Sequence, residues 1–278
     1  LMVGSVDLAG TNSTFELLAA ETFGTHPSQV KVVTLDSREA PYQGPTVGSK
    51  TMYSVGPAIL EAARDARDQV LQIAASILEA APDDLEIAEG AVRVKGVPSK
   101  TVPLKTIHQR STGMGARFKS VQGRGRTVMD RQAPGFAVHI ARVHVDADTG
   151  RVTPLRYIAV QDVGKAINPS LVEGQMQGAV VQAVGWSLFE RLEYDAEGQP
   201  LITSLMDYAL PKASQAPQIQ VEMVEVPAPL GPYGAKGVGE PPVIPGPAAI
   251  ANAIRAAMGV RITRLPITSE ALAQALRI

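Results

Sequence analysis

Apolar and polar positions recur with different periods along this 278-residue chain, and each period predicts a different element. From Val55 to Ala81 apolar side chains return every three to four residues. Val55, Ile59, Ala62, Ala66, Val70, Ile73 and Ile77 form one stripe, while Glu61, Arg64, Asp65, Arg67 and Asp68 face away. This is the pattern of a long amphipathic helix. A shorter helix is predicted over residues 13–24, with Ser13 or Asn12 as cap and Gly24 as stop. Further helices are predicted over residues 172–190 and over residues 246–258, the latter an alanine-rich run of small residues.

Alternation with a period of two marks the strands. Residues 85–88 and 91–95 flank Glu89-Gly90, a pair suited to a tight hairpin because glycine accepts positive φ. Residues 136–146 and 151–160 flank Asp148-Thr149-Gly150 in the same way, and residues 29–35 and 218–226 also read as strands. Strands and helices interleave without the regular cadence of a doubly wound parallel sheet, so the fold class is α+β. Residues 111–135 are rich in Gly, Arg, Ser and Gln and lack periodicity, which predicts a connecting loop. The expected organisation is a first part over 1–110, a connection over 111–135 and a second part over 136–278, or one continuous unit.

Composition narrows the function. Lys plus Arg number 26 against 27 for Asp plus Glu, a net charge of -1 that gives no field to gather nucleic acid or a lipid surface. No apolar run approaches the roughly 20 residues that cross a bilayer, and residues 1–10 lack the order of an export signal, so a soluble, cytoplasmic chain is expected. The chain has no cysteine, which removes disulfides, thiolate catalysis and Cys-ligated clusters. An iron–sulfur centre would have to belong to another polypeptide.

The densest unusual segment is Gly231-Pro232-Tyr233-Gly234-Ala235-Lys236-Gly237-Val238-Gly239-Glu240-Pro241-Pro242. Its glycines let backbone approach a ligand, and the prolines stiffen the chain around Glu240, a candidate base. A tight turn with a solvated Glu240 has the same spacing. Gly44-Pro45-Thr46-Val47-Gly48-Ser49-Lys50-Thr51 looks at first like a phosphate loop, but Ser49 separates Gly48 from Lys50 and rules out the nucleotide-hydrolysing pattern. What survives is a run of hydroxyls and amides ahead of a helix, suited to an anion or to an ordinary capped start. Gln175 and Gln177 follow Asp162-Val163-Gly164-Lys165-Ala166-Ile167-Asn168-Pro169 and open the next helix. His139 and His144 fall on opposite faces of a strand, and with His26 and His108 they form no metal-ligand cluster.

In this order the segments resemble the carboxy-terminal part of the large molybdopterin-binding subunit of the xanthine dehydrogenase family, over nearly the whole chain. The resemblance is carried by the run at 48–51, the hairpin at 139–150, the segment at 162–169, Gly174-Gln175, Asp207-Tyr208 and the run at 234–240. It implies the second molybdenum-cofactor-binding domain, of mixed strands and helices. It also implies an oxidoreductase of the xanthine dehydrogenase or aldehyde oxidase type, oxidising an aromatic heterocycle or aldehyde with water as the oxygen source. Carried over, Glu240 is the base, acting from a partly dry pocket, and Gln175 approaches the metal centre. Gly48, Ser49, Lys50 and Thr51 hold the pterin and its phosphate, and Lys236, Gly237 and Val238 line the centre, with Lys236 alternatively an ion-pair partner.

The implied cofactor is molybdenum–molybdopterin, in its cytosine dinucleotide form, with no direct metal ligand from the protein. One departure stands out: many relatives have Gly-Gln-Gly where this chain has Leu8-Ala9-Gly10-Thr11-Asn12, leaving Gly10 and Thr11 to make that contact. The implied partners are the other half of the molybdenum-binding subunit, an iron–sulfur subunit and an FAD subunit, in a hetero-oligomer that takes a small-molecule substrate but no nucleic acid or membrane. An apolar face should be exposed toward the missing half. The alternatives are a non-catalytic cofactor-binding or assembly module, and a subunit of carbon monoxide dehydrogenase type. Met129, Asp130, Arg131 and Gln132 are weak candidates for selectivity.

Overall fold

The computed structural model describes residues 1–129 and 133–276. The chain divides into two compact units, one of Leu1–Ala133 with Ala228–Ala235, the other of Pro134–Pro227 with Lys236–Ile278. The mixture of helices and short sheets is the α+β class expected.

The first unit opens with β1 (Met2–Val3), α1 (Thr11–Phe23) and β2 (Val33–Thr34), and β1 pairs with β2 in parallel. α1 starts earlier than residue 13: its cap is Gly10, not Ser13 or Asn12, because a left-handed turn at Ala9 and Gly10 begins the helix. Gly24 ends it as expected, at φ 95° with its N–H on the Ala20 carbonyl. The strand expected over 29–35 shrinks to β2, since Pro27–Gln29 forms a turn of 3-10 helix.

The long helix α2 (Thr51–Leu78) begins four residues before the apolar stripe does, and carries Pro57 in its second turn. Val70, Ile73, Ala74 and Leu78 on α2 pack against Leu85, Ile87, Val92, Val102 and Ile107 to form the core of this unit. The partners come from a meander of β3 (Leu85–Ala88), β4 (Ala91–Val94) and β5 (Val97–Pro103), followed by α3 (Leu104–Thr112). The sequence pattern showed neither β5 nor α3. β5 is exposed except at Val102, so it is held by its ladder to β4 and not by an apolar face.

In the second unit, β6 (Ala137–Val145), β7 (Val152–Asp162) and β8 (Gln218–Val224) form one sheet in that order. β6 and β7 are the expected hairpin, antiparallel with a bulge at Arg142/Val143, and β8 runs parallel to β7. α4 (Pro169–Leu188), α5 (Gly246–Met258) and α6 (Ser269–Leu276) bury Met176, Val180, Val184, Ile250, Ile254 and Leu272 with Tyr157 and Ala159 of the sheet. α4 is capped by Asn168, whose side chain accepts the Leu171 N–H. α5 meets α4 closely at Gly246, where a Cβ would come within 2.2 Å of the Ala183 side chain. Phe136 (73% exposed), Val138 (63%) and Ile140 (56%), on and beside edge strand β6, are exposed apolar side chains. No described helix is long and apolar enough to cross a membrane.

Candidate functional site

In the first unit the same local device precedes two helices. Ala9 (φ 54°) and Gly10 (φ 75°) lead into α1, and Gly48 (φ 65°) and Ser49 (φ 55°) lead into α2. Left-handed backbone costs a residue with a Cβ roughly 1–2 kcal/mol, so Ala9 and Ser49 keep it only because the local turn dictates it. Contacts of Gly56 with Leu18 and of Arg67 with the Thr22 carbonyl rise together in sequence, so α1 and α2 run in the same direction. Their positive ends therefore lie at one end of the pair.

Neither Gly10 nor Lys50 supplies a side-chain cap. At α1 the Asn12 N–H is taken by Asp7 (3.1 Å), and both the amide and the hydroxyl of Thr11 donate to the Leu8 carbonyl. Thr11 is thus left with acceptor capacity only. The start of α2 is the better place for an anion: a Cβ at Gly48 would meet nothing within 4 Å, and the Lys50 ammonium lies by Gly44. Two buried polar atoms, Asn12 Oδ1 and Tyr53 Oη, have no hydrogen-bond partner among the described residues and sit in the first turns of α1 and α2. The sequence offered Asn12 only as a helix cap and within the run at 8–12, and Tyr53 not at all. Backbone amides, a lysine and hydroxyls at the start of α2 suit an anionic, oxygen-rich group such as the phosphate of a pterin cofactor. They do not suit a bare cation, and the described residues hold no group of three His, Cys, Asp or Glu that could bind a metal ion.

The glycine-rich run at 231–240 is divided between the units. Its first part belongs to the first unit: Pro232 packs on Gly56 of α2, and Tyr233, at φ 53°, bonds the Thr22 hydroxyl at 3.0 Å. Its second part, from Lys236, belongs to the second unit. There the Lys236 N–H donates to the Val163 carbonyl (3.1 Å) and its ammonium to Asp162 Oδ2 (2.6 Å). Both side chains are almost fully buried, at 8% and 9% exposure. Burial alone would push the Asp162 carboxyl up, but Lys236 and the Gly164 N–H outweigh it and hold the group below the ordinary carboxylate range. The ammonium of Lys236 is spent on an ion pair, one of the two roles the sequence left open for it.

Gly237, Val238 and Gly239 continue to Glu240, where the Val243 N–H bonds the Glu240 carbonyl (3.0 Å) and Pro241–Val243 forms a turn that packs against α4. α4 carries Gln175, half-buried in its second turn; the exposed Gln177 donates its amide to Glu173 (3.1 Å). Glu240 is exposed, so the partly dry pocket expected around it is not made by the described residues of its own unit. Gly237 and Gly239 offer no side chain to cover it, and Val238 packs instead against the core of the unit. His139 faces inward and bonds the buried Tyr157 hydroxyl (2.9 Å), burial pushes its pKa down, and His144 faces out, so the strand histidines split as expected. Met129 is exposed; Asp130, Arg131 and Gln132 lie outside the described residues.

Residues 1–217 match the family model described as molybdopterin cofactor-binding domain. The chain is 32% identical over 279 aligned residues to the gamma subunit of the 6-hydroxypseudooxynicotine dehydrogenase complex of Paenarthrobacter nicotinovorans, covering 94% of this chain and 34% of that protein. It is 31% identical to the putative xanthine dehydrogenase molybdenum-binding subunit of Escherichia coli, covering 95% of this chain and 35% of that one. Among solved structures, quinoline 2-oxidoreductase of Pseudomonas putida superposes with a TM-score of 0.88 at 32% identity, over 98% of this chain and 36% of its own. A Cu,Mo-CO dehydrogenase superposes with a TM-score of 0.86 at 27% identity, over 100% of this chain and 36% of its own. The chain thus spans about a third of the length of the proteins it matches.

Proposed function

Because the chain belongs to the molybdopterin cofactor-binding domain family, we propose that it supplies part of the cradle of a molybdenum hydroxylase and the base, Glu240, of its reaction. The substrate class is an aromatic heterocycle or an aldehyde, in keeping with relatives named for quinoline, xanthine and nicotine and with an aldehyde oxidoreductase among the similar structures. When bound, the molybdenum–molybdopterin group supplies two-electron oxidation of a substrate carbon, with the added oxygen drawn from water.

The residues of this chain do the rest. Gly48, Ser49, Lys50 and Thr51 bind the anionic end, in its cytosine dinucleotide form, through main-chain N–H groups, a hydroxyl and the lysine charge. Gly10 and Thr11 approach the pterin through backbone and, at Thr11, a hydroxyl acceptor. Gly237 and Val238 present backbone near the centre, and Lys236 holds that backbone through Asp162. The Gln175 amide donates to negative charge as it develops. A Glu240 Oε accepts the proton released as oxygen is transferred, and returns it to water between turnovers.

What carries the reading is the Lys236–Asp162 pair, which fixes the chain four residues before Glu240, as Pro241 and Pro242 stiffen it immediately after. A carboxylate between two such restraints has a defined place while its own side chain stays exposed for a partner surface to enclose. The remaining part of the molybdenum-binding subunit is that partner, with iron–sulfur and FAD subunits accepting electrons. Relatives named as a complex subunit and as a large chain agree with an assembly of several chains.

Metal and nucleotide analysis of the purified complex tests the reading. Molybdenum and, after acid hydrolysis, cytidine monophosphate are expected in equal amounts, and both are expected to fall together in Lys50→Ala. A complex with neither, or with a different nucleotide, contradicts the cofactor assignment.

A further inference from the structure

The segment expected to be a loose connection is docked along α2. Residues 122–126 run as an extended strap, and three side chains of α2, spaced four residues apart, grip its backbone at alternate residues. Gln69 Oε1 accepts the Gln122 N–H (3.1 Å) and Gln69 Nε2 donates to the Gln122 carbonyl (3.0 Å). Asp65 Oδ2 accepts the Arg124 N–H (2.9 Å), and Glu61 Oε2 accepts the Arg126 N–H (2.8 Å). The spacings match: four residues of helix rise about 6 Å, and two residues of extended chain about 6.6 Å.

Between these rungs the strap lies flat on the helix. A Cβ at Gly123 would come 2.0 Å from the Ala62 carbonyl oxygen, and one at Gly125 would come 1.8 Å from that of Ala58. Alanines at 58, 62 and 66 make the shallow track, and glycines at 123 and 125 make the flat rail. Because only backbone is gripped, the register is set by the two glycines and three acceptors and not by the side chains of Arg124 and Arg126, which are exposed.

The pairs 122/69, 124/65 and 126/61 also give the direction. The strap runs opposite to α2, toward the helix start where Lys50 and Thr51 lie. We propose that this strap is a positioning element of the cofactor loop: by locking its register on α2 it aims residues 127–129 toward the anion-binding end of that helix. The inference rests on the reading of Gly48 to Thr51 as that loop.

The test uses the full subunit in its complex, with two variants that loosen the strap by different routes. Glu61→Ala with Asp65→Ala removes two rungs while keeping good helix formers, and Gly125→Val drives a side chain into the track. Backbone amides held by acceptors cannot pair with a protease, so trypsin at Arg124 and Arg126 reports release. Both variants are expected to be cut at least about tenfold faster, as for a segment freed to open locally, and to lose molybdenum and nucleotide severalfold faster on gel filtration. Faster cutting with the cofactor fully retained overturns the proposal and leaves the loop assignment standing. Unchanged cutting in both variants overturns it as well, because the ladder then does not hold the strap. Full retention of cofactor in Lys50→Ala with an intact strap would instead sink the loop assignment itself.

Discussion

The segment leading into α2 and the one leading toward α5 are both rich in glycine, yet they are secured by opposite means. Ahead of α2, Gly48 and Ser49 take left-handed backbone, the cap has no side-chain bond, and the space around Gly48 is open. Ahead of α5, a buried ammonium–carboxylate pair and successive prolines fix the chain on both sides of Glu240. The first arrangement spends conformational strain to turn the chain sharply into the helix. The second spends a buried charge pair to hold one carboxylate in place. Two segments of similar composition are therefore held by different anchors, as the proposed binding and catalytic roles would require.

The largest way to break this contrast is Lys236→Met. It leaves Asp162 buried without its cation, and a loss of about 3–5 kcal/mol in unfolding free energy is expected, measured by chemical denaturation of the subunit. Its pH dependence carries a sign that checks the cause. In the parent, Asp162 titrates below the ordinary carboxylate range, so its contribution is intact at neutral pH and is lost only as pH falls through that depressed value. In Lys236→Met burial is opposed only by the Gly164 and Val226 N–H groups, so the carboxyl titrates higher than in the parent, and the stability deficit of the variant should shrink on acidification from pH 7 toward 5. A deficit that grows over that interval would show that the pair is not what holds the loop.

A smaller effect is expected at Gly246. An added methyl there meets the Ala183 side chain at 2.2 Å, so Gly246→Ala should cost about 1–3 kcal/mol and part α5 from α4. Tight packing at this point predicts a lower melting temperature with unchanged cofactor content in the first unit's loop. Smallest of all, Ala9→Gly relieves left-handed strain and should raise stability by about 1 kcal/mol or less, because part of the relief is offset by chain entropy. No rise in melting temperature would mean that the turn before α1 is not strained.

How much of this was legible in the sequence follows from what holds each part. α5, α2 and the hairpins β3–β4 and β6–β7 bury one face, so periodicity revealed them, and α5 was placed to the residue. β5, mostly exposed, has no such face, and the strap has no side-chain pattern at all because its contacts are made by backbone. The one available signal was a pair of glycines two apart facing three alanines four apart, which only makes sense once they are known to touch. At the site, the order of separated motifs singled out Gly48 to Thr51, Gln175 and Glu240. The unpaired atoms of Asn12 and Tyr53 were missed because an unpaired buried atom is a property of packing and leaves no mark in residue spacing. The pairing of Lys236 with Asp162 joins positions 74 residues apart, beyond any local pattern.

The most direct measurement compares Glu240→Gln with the parent enzyme, both assembled with their partner chains and both assayed for molybdenum. Removal of a proton acceptor at this position predicts turnover reduced roughly 10²–10⁴-fold at undiminished metal content. Turnover within a few-fold of the parent, at equal molybdenum, would contradict Glu240 as the base.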